Sequence, residues 1–159
     1  MNIHRSEAEA KFAFMDNLFL NVWPAKPDSI NGSERIERVP ALSTALKQCA
    51  GLRKRFLRYF TDGVLIGNCL LSEPAPGVRL CAYVLPDSVL ALVLNQGAEA
   101  ELSFRVDLEP WVAGRRAFAM TLVDADGRRL AEGDVAPACT LRTPRLPHLG
   151  LAAFELRGR

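Results

Sequence analysis

The most regular hydrophobic pattern of the chain lies in residues 78–95, where two apolar runs flank Pro86-Asp87-Ser88. Runs rich in Val and Leu, broken by turn-forming residues, predict two antiparallel strands joined by a tight turn. The second run, 89–94, is apolar on both faces and therefore needs a cover on each side. The first run alternates, and one of its faces carries Arg79, Cys81 and Tyr83.

Downstream of this pair, short apolar or alternating segments separated by Gly, Pro and Asp predict further strands. The plainest alternation is in 101–108, where every second residue is apolar, as expected of a half-exposed strand. Short strands at this spacing are typical of a sandwich of two antiparallel sheets. The other predicted strands are 64–71, 117–123, 130–135, 139–141 and 151–156.

Upstream of the strands, the apolar residues recur at helical intervals. This periodicity predicts helices over 6–17 and 41–60, separated by a short buried strand at 18–23 and a proline-rich loop at 24–40. The second helix is the clearest, since apolar residues follow one side at intervals of three and four. Basic residues crowd its last turns and Gly63 follows as its expected end.

Together these patterns predict a mainly β protein, an antiparallel β-sandwich preceded by an N-terminal α–β–α segment. The change of periodicity divides the chain into residues 1–62 and 63–159. The length of 159 residues, with 49% hydrophobic and 24% charged residues, suits one typical domain or two small ones.

Charge and hydropathy argue against two classes of partner. A net charge of +2 is too small to indicate nucleic acid or an anionic membrane, and a solvated helix end explains the basic run at 53–55. The apolar runs are far shorter than the ~20 residues of a membrane-spanning helix. Because the N-terminus also lacks the apolar core of a signal peptide, we expect a cytoplasmic protein.

No pattern of metal-ligating residues stands out. The four cysteines are widely spaced and predict buried free thiols in a reducing compartment. His4 and His148 have no clustered ligands around them, so neither a metal nor another cofactor is expected. The segment 124–127, Asp-Ala-Asp-Gly, lacks the downstream glutamate of a calcium loop and predicts a hairpin turn.

The order of the segments is nevertheless familiar. LFLNVWPAKPDSINGSE is followed by a helix ending GLRKRFLRYF, then by TDGVLIGNCLLSE, by VLPDSVLALVLNQG and by a strand that runs to DLEPWV. This order resembles the C-terminal part of (β/α)-barrel glycoside hydrolases, in which the last barrel strand and helix lead into an antiparallel sandwich. The resemblance implies that 18–23 is the eighth barrel strand, 41–60 the eighth helix and 64–159 the sandwich.

The same resemblance implies that the chain is not catalytic alone. A barrel needs about eight strands and this chain supplies at most one, while the two catalytic carboxylates of such enzymes lie on separate strands or loops. We therefore expect a non-catalytic accessory region that packs against a missing or upstream (β/α)-barrel and stabilises it. The chain is then a fragment, a truncated gene product or a part that works with a separate barrel.

Four residues are candidates for contact with carbohydrate. Barrel chemistry takes place at the C-terminal ends of the strands, so the resemblance places Asn21, Trp23, Lys26 and Asp28 at or just past that end. Trp23 would stack on a sugar ring, and Lys26 or Asp28 would hydrogen-bond to hydroxyl groups. The alternative is that Trp23 belongs to the core and the others to a loop.

Two other functions stay open at this point. One is a self-standing carbohydrate-binding module that holds sugar through Trp23 or Trp111. The other is a structural protein that forms a homo-oligomer through an exposed apolar helical face. The discriminating observation is whether the apolar side of 42–60 is exposed or buried, together with Phe12, Phe14, Phe19 and Val22.

Overall fold

The computed structural model describes residues 7–18 and 40–159. The mainly β fold with antiparallel sheets predicted from the sequence is confirmed. The helices in these ranges are α1 (Glu7–Met15), α2 (Pro40–Arg55) and α3 (Leu57–Asp62). The strands are β1 (Val64–Gly67), β2 (Val78–Leu85), β3 (Ser88–Asn95), β4 (Ala100–Asp107), β5 (Phe118–Asp124), β6 (Arg129–Val135), β7 (Ala138–Leu146) and β8 (Leu151–Gly158).

The strands form two sheets of unequal size. The larger sheet has six strands in the order β1-β2-β3-β8-β5-β6, and the smaller sheet is the pair β4-β7. All strand pairs are antiparallel. One apolar cluster fills the space between the sheets, and a second joins the larger sheet to the three helices. The described chain therefore has three layers, with the large sheet in the middle.

Strand β3 lies at the centre of this arrangement. All eight of its residues are buried. Val89, Ala91 and Val93 belong to the cluster between the sheets, whereas Leu90, Leu92 and Leu94 belong to the cluster under the helices. The two covers predicted for residues 89–94 are thus a second sheet on one face and a helical layer on the other.

The neighbouring strand β2 confirms the predicted alternation. Leu80 and Ala82 face the small sheet, while Cys81 and Tyr83 face the helices. Between the helices and this strand the aromatic rings contact one another in series at tilted angles, with ring centroids 5.3 Å apart for Phe14 and Phe60 and 4.8 Å apart for Phe60 and Tyr83. Helical and strand residues therefore share one core cluster, and the division at residue 62 stays a prediction.

The helix predicted over 41–60 is wrong in one respect, because the structure has two helices that meet at Phe56. Phe56 has φ −107° and ψ 27°, outside helical values, and its side chain is buried. The apolar spacing continues across the break, so the sequence did not reveal it. Beyond it, Tyr59 and Phe60 are buried in the cluster under the helices.

The basic residues at the end of the helices lie against aromatic rings. The guanidinium carbons of Arg53 and Arg58 lie 4.7 and 4.8 Å from the centroids of Phe60 and Tyr59. Cation–π contacts of this kind hold the charge at the surface while the side-chain stem covers apolar area. None of the described helices is long and apolar enough to cross a membrane.

Two strand lengths differ from those expected. The strand predicted over 64–71 ends at Gly67, whose φ of +58° turns the chain. The strand predicted over 139–141 extends to Leu146, because a bulge accommodates Pro144 and the Thr143 hydroxyl accepts a hydrogen bond from Leu102 N at 3.1 Å. The strand predicted over 18–23 lies outside the described residues except for Leu18, which is not in a strand.

Buried Asn95 organises the loops at one end of the sheets. Its Nδ2 donates to the carbonyl oxygens of Ala98, Leu146 and Pro147, and its Oδ1 accepts from Gly97 N at 2.9 Å. The side chain therefore joins the loop that follows β3 to the end of β7 and the loop that follows it, where no regular strand pairing holds them. A buried amide with its partners satisfied contributes stability that an apolar residue cannot replace.

We expect Asn95→Ala to lower the free energy of unfolding by about 2–3 kcal/mol, because several buried backbone groups lose their partner at once. Urea unfolding followed by circular dichroism measures the change. Exposed Asn68→Ala is the matched control, and we expect it to change stability by less than about 0.5 kcal/mol. Equal effects of the two substitutions would contradict the role given to Asn95.

A polar network fastens α3 to the middle sheet. The hydroxyl of fully buried Tyr59 donates to Glu155 Oε1 at 3.0 Å and accepts from Arg58 Nη2 at 3.1 Å. Arg58 also donates to buried Ser88 at 2.8 Å, and Arg157 donates to both carboxylate oxygens of Glu155. Burial raises the pKa of Tyr59, so its hydroxyl keeps the proton that it donates.

Tyr59→Phe removes this hydroxyl while it keeps the ring in the core. We expect a loss of about 1 kcal/mol in the free energy of unfolding, the usual value of one buried hydrogen bond. A double-mutant cycle with Glu155→Gln, measured by urea unfolding, isolates the interaction between the two side chains. Strict additivity of the two substitutions would show that the hydrogen bond is not what fastens α3.

Candidate functional site

The residues predicted to contact sugar cannot be placed. Asn21, Trp23, Lys26 and Asp28 all lie outside the described residues and stay predictions. Trp111, the second candidate aromatic, is half-buried and packs against the core between the sheets. Its ring therefore takes part in the packing of this core.

The apolar helical side that would mark an exposed interface is mostly buried in the described residues. Phe14 and most of the large apolar residues of α2 and α3 belong to the helical cores, whereas Phe12 is half-buried and Leu57 is 51% exposed. Phe19 and Val22 lie outside the described residues. In the part that the structure describes, the large sheet covers most of this apolar side, which is the outcome that favours one compact unit over an exposed helical interface.

A cleft of about 550 Å³ opens beside the end of α1. Its described walls are Asp16, which directly follows that helix, the loop between β1 and β2, and the first half of β2, with Gln96 at one side. The apolar part of the lining includes Leu71, Pro74, Pro76 and Val78. The polar side chains of the lining are Asp16, Asn68, Arg79, Cys81 and Gln96.

The end of α1 is held firmly against the rest of the protein. Tyr83 donates its hydroxyl proton to the carbonyl oxygen of Met15 at 2.6 Å. Asn17 adopts a left-handed φ of 55° at the helix end, and its Nδ2 donates to Phe60 O at 3.1 Å. In the middle of the helix, buried Lys11 donates to Leu149 O at 2.6 Å. These contacts fix the position of Asp16 between Met15 and Asn17.

The Asp16 carboxylate is shared by two side chains of β2. Arg79 Nη2 donates to Oδ2 at 2.5 Å, and Cys81 Sγ lies 3.6 Å from Oδ1. The guanidinium also stacks on Phe12, with its carbon 4.7 Å from the ring centroid. The Nε of Arg79 is buried and has no hydrogen-bond partner in the described structure, so the guanidinium is not fully satisfied.

The thiol of Cys81 is not set up as a nucleophile. Burial, together with the neighbouring Asp16 carboxylate, raises its pKa to about 12. A thiol attacks as the thiolate, and this environment disfavours the thiolate. Its place in the cleft is that of a small, weakly donating side chain.

The cleft does not have the groups that glycoside hydrolysis requires. Retaining and inverting enzymes use two carboxyl groups roughly 5–9.5 Å apart, one on each side of the scissile bond. Among the described residues that line the cleft, Asp16 is the only carboxylic acid. The described groups can bind a polar molecule through paired charges and amides. They do not include the second carboxyl group that hydrolysis needs.

A second depression lies between α1 and α2. It measures about 280 Å³ and its lining is apolar except for Arg53. Leu18 at its edge is 62% exposed, which is unusual for a large apolar side chain in this structure. The residues of this hollow are Ala10, Phe14, Leu18, Leu46, Cys49, Ala50 and Arg53.

The remaining candidates have structural roles. Asp124 Oδ1 accepts hydrogen bonds from the backbone nitrogens of Asp126 and Arg128, which confirms the predicted hairpin turn. His148 Nδ1 lies 3.0 Å from Gly97 O, within hydrogen-bonding distance. Of the four free thiols, Cys49 and Cys81 are buried as expected, but Cys69 is exposed because β1 ends before it.

One feature of the sequence indicates the cleft: a charged residue on the face of β2 that the helices cover. Arg79 is the single charged residue of β2, and the alternation already placed it on the same face as Cys81 and Tyr83. A charge on a strand face that a helical layer covers requires a partner. The partner, Asp16, lies 63 residues earlier and could not be identified from spacing.

Comparison with known proteins gives a likeness of structure alone. No protein-family model and no curated protein matches the chain. A glycoside hydrolase superposes with a TM-score of 0.57 at 14% identity, over 84% of this chain and 30% of that protein. An α-amylase from Geobacillus thermoleovorans gives 0.48 at 16% identity, over 76% and 24%. A GH30 endoxylanase from Clostridium papyrosolvens C71 gives 0.39 at 15% identity, over 54% and 22%.

The chain therefore spans less than a third of the length of each of these three proteins. At this level of identity the match to the first of them concerns the fold. The solved structures that resemble the chain are glycoside hydrolases, and the resemblance covers only part of each.

The environment of Cys81 leads to a prediction about its reactivity. In the folded protein at mildly alkaline pH, we expect iodoacetamide to label exposed Cys69 at least about 100-fold faster than Cys81, because a raised thiol pKa depletes the thiolate. Peptide mass spectrometry over time measures both rates. The two rates should become similar in concentrated urea, and similar rates in the folded protein would contradict the assignment.

Proposed function

We propose that this chain is the non-catalytic accessory β-sandwich region of a glycoside hydrolase, which packs against a catalytic (β/α)-barrel and stabilises it. The observation that carries the proposal is the fold match at a TM-score of 0.57, which takes in 84% of this chain but 30% of a glycoside hydrolase. That share exceeds residues 64–159 alone, so the match also includes part of the preceding segment. A sandwich joined to its helices thus occurs as a minor part of a larger hydrolase.

The chemistry of the described residues supports a non-catalytic role. Among its described lining residues, the cleft at the end of α1 offers one carboxylate where hydrolysis of a glycosidic bond needs two. The raised pKa of its thiol keeps that group protonated, and its arginine is paired with that one described acid. An accessory role needs none of these groups to react.

The hollow between α1 and α2 is the surface that we assign to the barrel. Its lining is apolar, and Leu18 projects at its edge with most of its surface exposed. In (β/α)-barrels, helices pack side by side around the strands. An apolar side chain from the neighbouring barrel layer would fill the hollow and cover Leu18.

A self-standing carbohydrate-binding module is the second candidate, and one observation favours it. The described helices bury their apolar sides against the large sheet in one shared core. A segment that is only the end of another domain would leave much of that side bare. The helical layer and the sandwich can therefore form one unit that does not need a barrel to cover it.

The proposal includes the cytoplasmic location expected from the sequence. The four cysteines are free thiols, and Cys49 and Cys81 are buried. Proteins of reducing compartments keep their thiols in this state.

We expect the purified chain alone to show no turnover of aryl glycosides above the buffer rate, because the cleft lacks a second carboxylate. Release of nitrophenol from a panel of nitrophenyl glycosides measures this. Any residual rate should be the same in Asp16→Asn, which would identify it as contamination. Turnover that follows the chain through purification and is lost in Asp16→Asn would contradict the proposal.

The barrel contact has its own test, which uses the (β/α)-barrel encoded next to this chain in its source genome. We expect the chain to raise the Tm of that barrel, since a partner that binds the folded state stabilises it. Ala50→Arg, which places a charge in the hollow, should weaken the association about 10-fold or more. Calorimetric titration measures the affinity.

The matched control for the barrel experiment is Thr44→Arg, a substitution at another exposed position of α2 that does not line the hollow. It should leave the affinity unchanged. If Ala50→Arg and Thr44→Arg bind the barrel equally well, the hollow is not the contact surface. If no barrel is encoded beside the chain, the accessory role is wrong and the self-standing module takes its place.

A further inference from the structure

The cleft at the end of α1 has a composition that the packing role does not explain. It joins a carboxylate and a guanidinium to two exposed amides, Asn68 and Gln96, above an apolar wall. We propose that this cleft binds a neutral sugar, with Asp16 and Arg79 hydrogen-bonding to neighbouring hydroxyl groups.

The charges of the cleft favour a neutral ligand. Asp16 and Arg79 are paired at 2.5 Å, so their charges cancel, and the described lining contains no other charged side chain. An anionic ligand would meet the Asp16 carboxylate, and a cationic ligand would meet the Arg79 guanidinium. A ligand without charge avoids both repulsions and still reaches strong donors and acceptors.

The hydrogen-bonding groups suit hydroxyls in particular. From the described residues each oxygen of Asp16 accepts one hydrogen bond, which leaves each a further lone pair for a donor. Arg79 has only donors, and its side chain is 32% exposed, so its terminal nitrogens can donate to a ligand although its Nε is buried. Two adjacent hydroxyl groups can donate to the carboxylate and accept from the guanidinium at the same time, which a single amide or carboxylate ligand does less well.

The shape and the apolar wall agree with a sugar ring. A volume of about 550 Å³ lies within the range of roughly 300–1,000 Å³ that small-molecule sites occupy. Pro74, Pro76 and Val78 offer apolar surface to the C–H face of a ring, while the amides of Asn68 and Gln96 reach its other hydroxyl groups.

The polar pair is also held in place before a ligand arrives. Asp16 follows Met15, whose carbonyl oxygen Tyr83 binds, and Arg79 belongs to a strand inside the six-stranded sheet. A site whose groups are already ordered loses less entropy when it binds. Phe12 adds to this order by stacking on the guanidinium.

This inference goes beyond the packing role and does not rest on it. The cleft and the hollow between α1 and α2 share none of their described lining residues, so the proposal for one can fail without the other. Sugar binding in the cleft is compatible with an accessory region and would give the self-standing module its binding site.

The experiment titrates the uniformly ¹⁵N-labelled chain with methyl α-glucoside and with methyl β-xyloside and follows the backbone amides by NMR. We expect at least one of them to cause saturable shifts at Asn68, Arg79, Cys81 and Gln96. Fully O-methylated glucoside, which has no hydroxyl donor, should cause none. Glucuronate, which adds a negative charge, should bind more weakly than the neutral glucoside.

Three variants separate the cleft from the rest of the surface. Asp16→Asn should weaken binding about 10-fold, because a charge-assisted hydrogen bond is lost. Gln96→Trp changes an exposed residue at the rim and should block the cleft, so it serves if the first variant does not fold. Glu132→Gln removes a carboxylate from an exposed ion pair on β6 and should bind as the unchanged chain does.

Three results would overturn the proposal. The first is the absence of saturable shifts in the cleft with both neutral sugars. The second is binding that Asp16→Asn and Gln96→Trp leave intact, since the shifts would then come from another surface. The third is tighter binding of glucuronate than of the neutral glucoside, which would make the cleft an anion site.

Discussion

The burial of β3 on both faces is the constraint on which the rest of the structure depends. Residues 89–94 are apolar without interruption, and all of them are buried. Without the helical layer three leucines of this strand would lie in water, at a cost of roughly 2 kcal/mol each, and without the small sheet two valines and an alanine would do so. The small sheet and the helical layer are therefore both required, and the six-stranded sheet lies between them.

Polar side chains occur where these covers end. Ser88 at the start of β3 is buried and bound by Arg58, whereas Asn95 at its other end is bound by three loop carbonyls. An unpaired polar group at either place would cost about as much as a hydrogen bond gains. The contacts of Ser88 and Asn95 therefore determine where α3 and the loop after β7 can lie. These polar contacts are needed because β3, which both residues end, is buried.

Features of the fold that depend on neighbouring residues could be predicted from the sequence, whereas contacts between segments far apart in the chain could not. The faces of Cys81 and Tyr83 followed from the period of two, which any strand imposes. The break at Phe56 did not, because helical spacing continues through it and only the backbone angles of that residue leave the helical range. The length of β7 was missed because a bulge, with a side-chain hydrogen bond from Thr143, accommodates a proline that usually ends a strand. The pairing of Asp16 with Arg79 joins distant segments, and no local rule describes it.

The position of the cleft follows from the limited width of the helical layer. Along one face of β2, Tyr83 and Cys81 lie under the helices, and the next residue on that face, Arg79, lies where α1 ends. An apolar residue there would be covered on one side only, whereas an arginine can stack its guanidinium on Phe12 and pair with Asp16, the acid that directly follows the helix. Because the helical layer is narrower than the sheet under it, the edge of this layer forms a concave surface that is partly polar. Packing alone accounts for this cleft without any catalytic requirement, and for that reason we propose binding as its function.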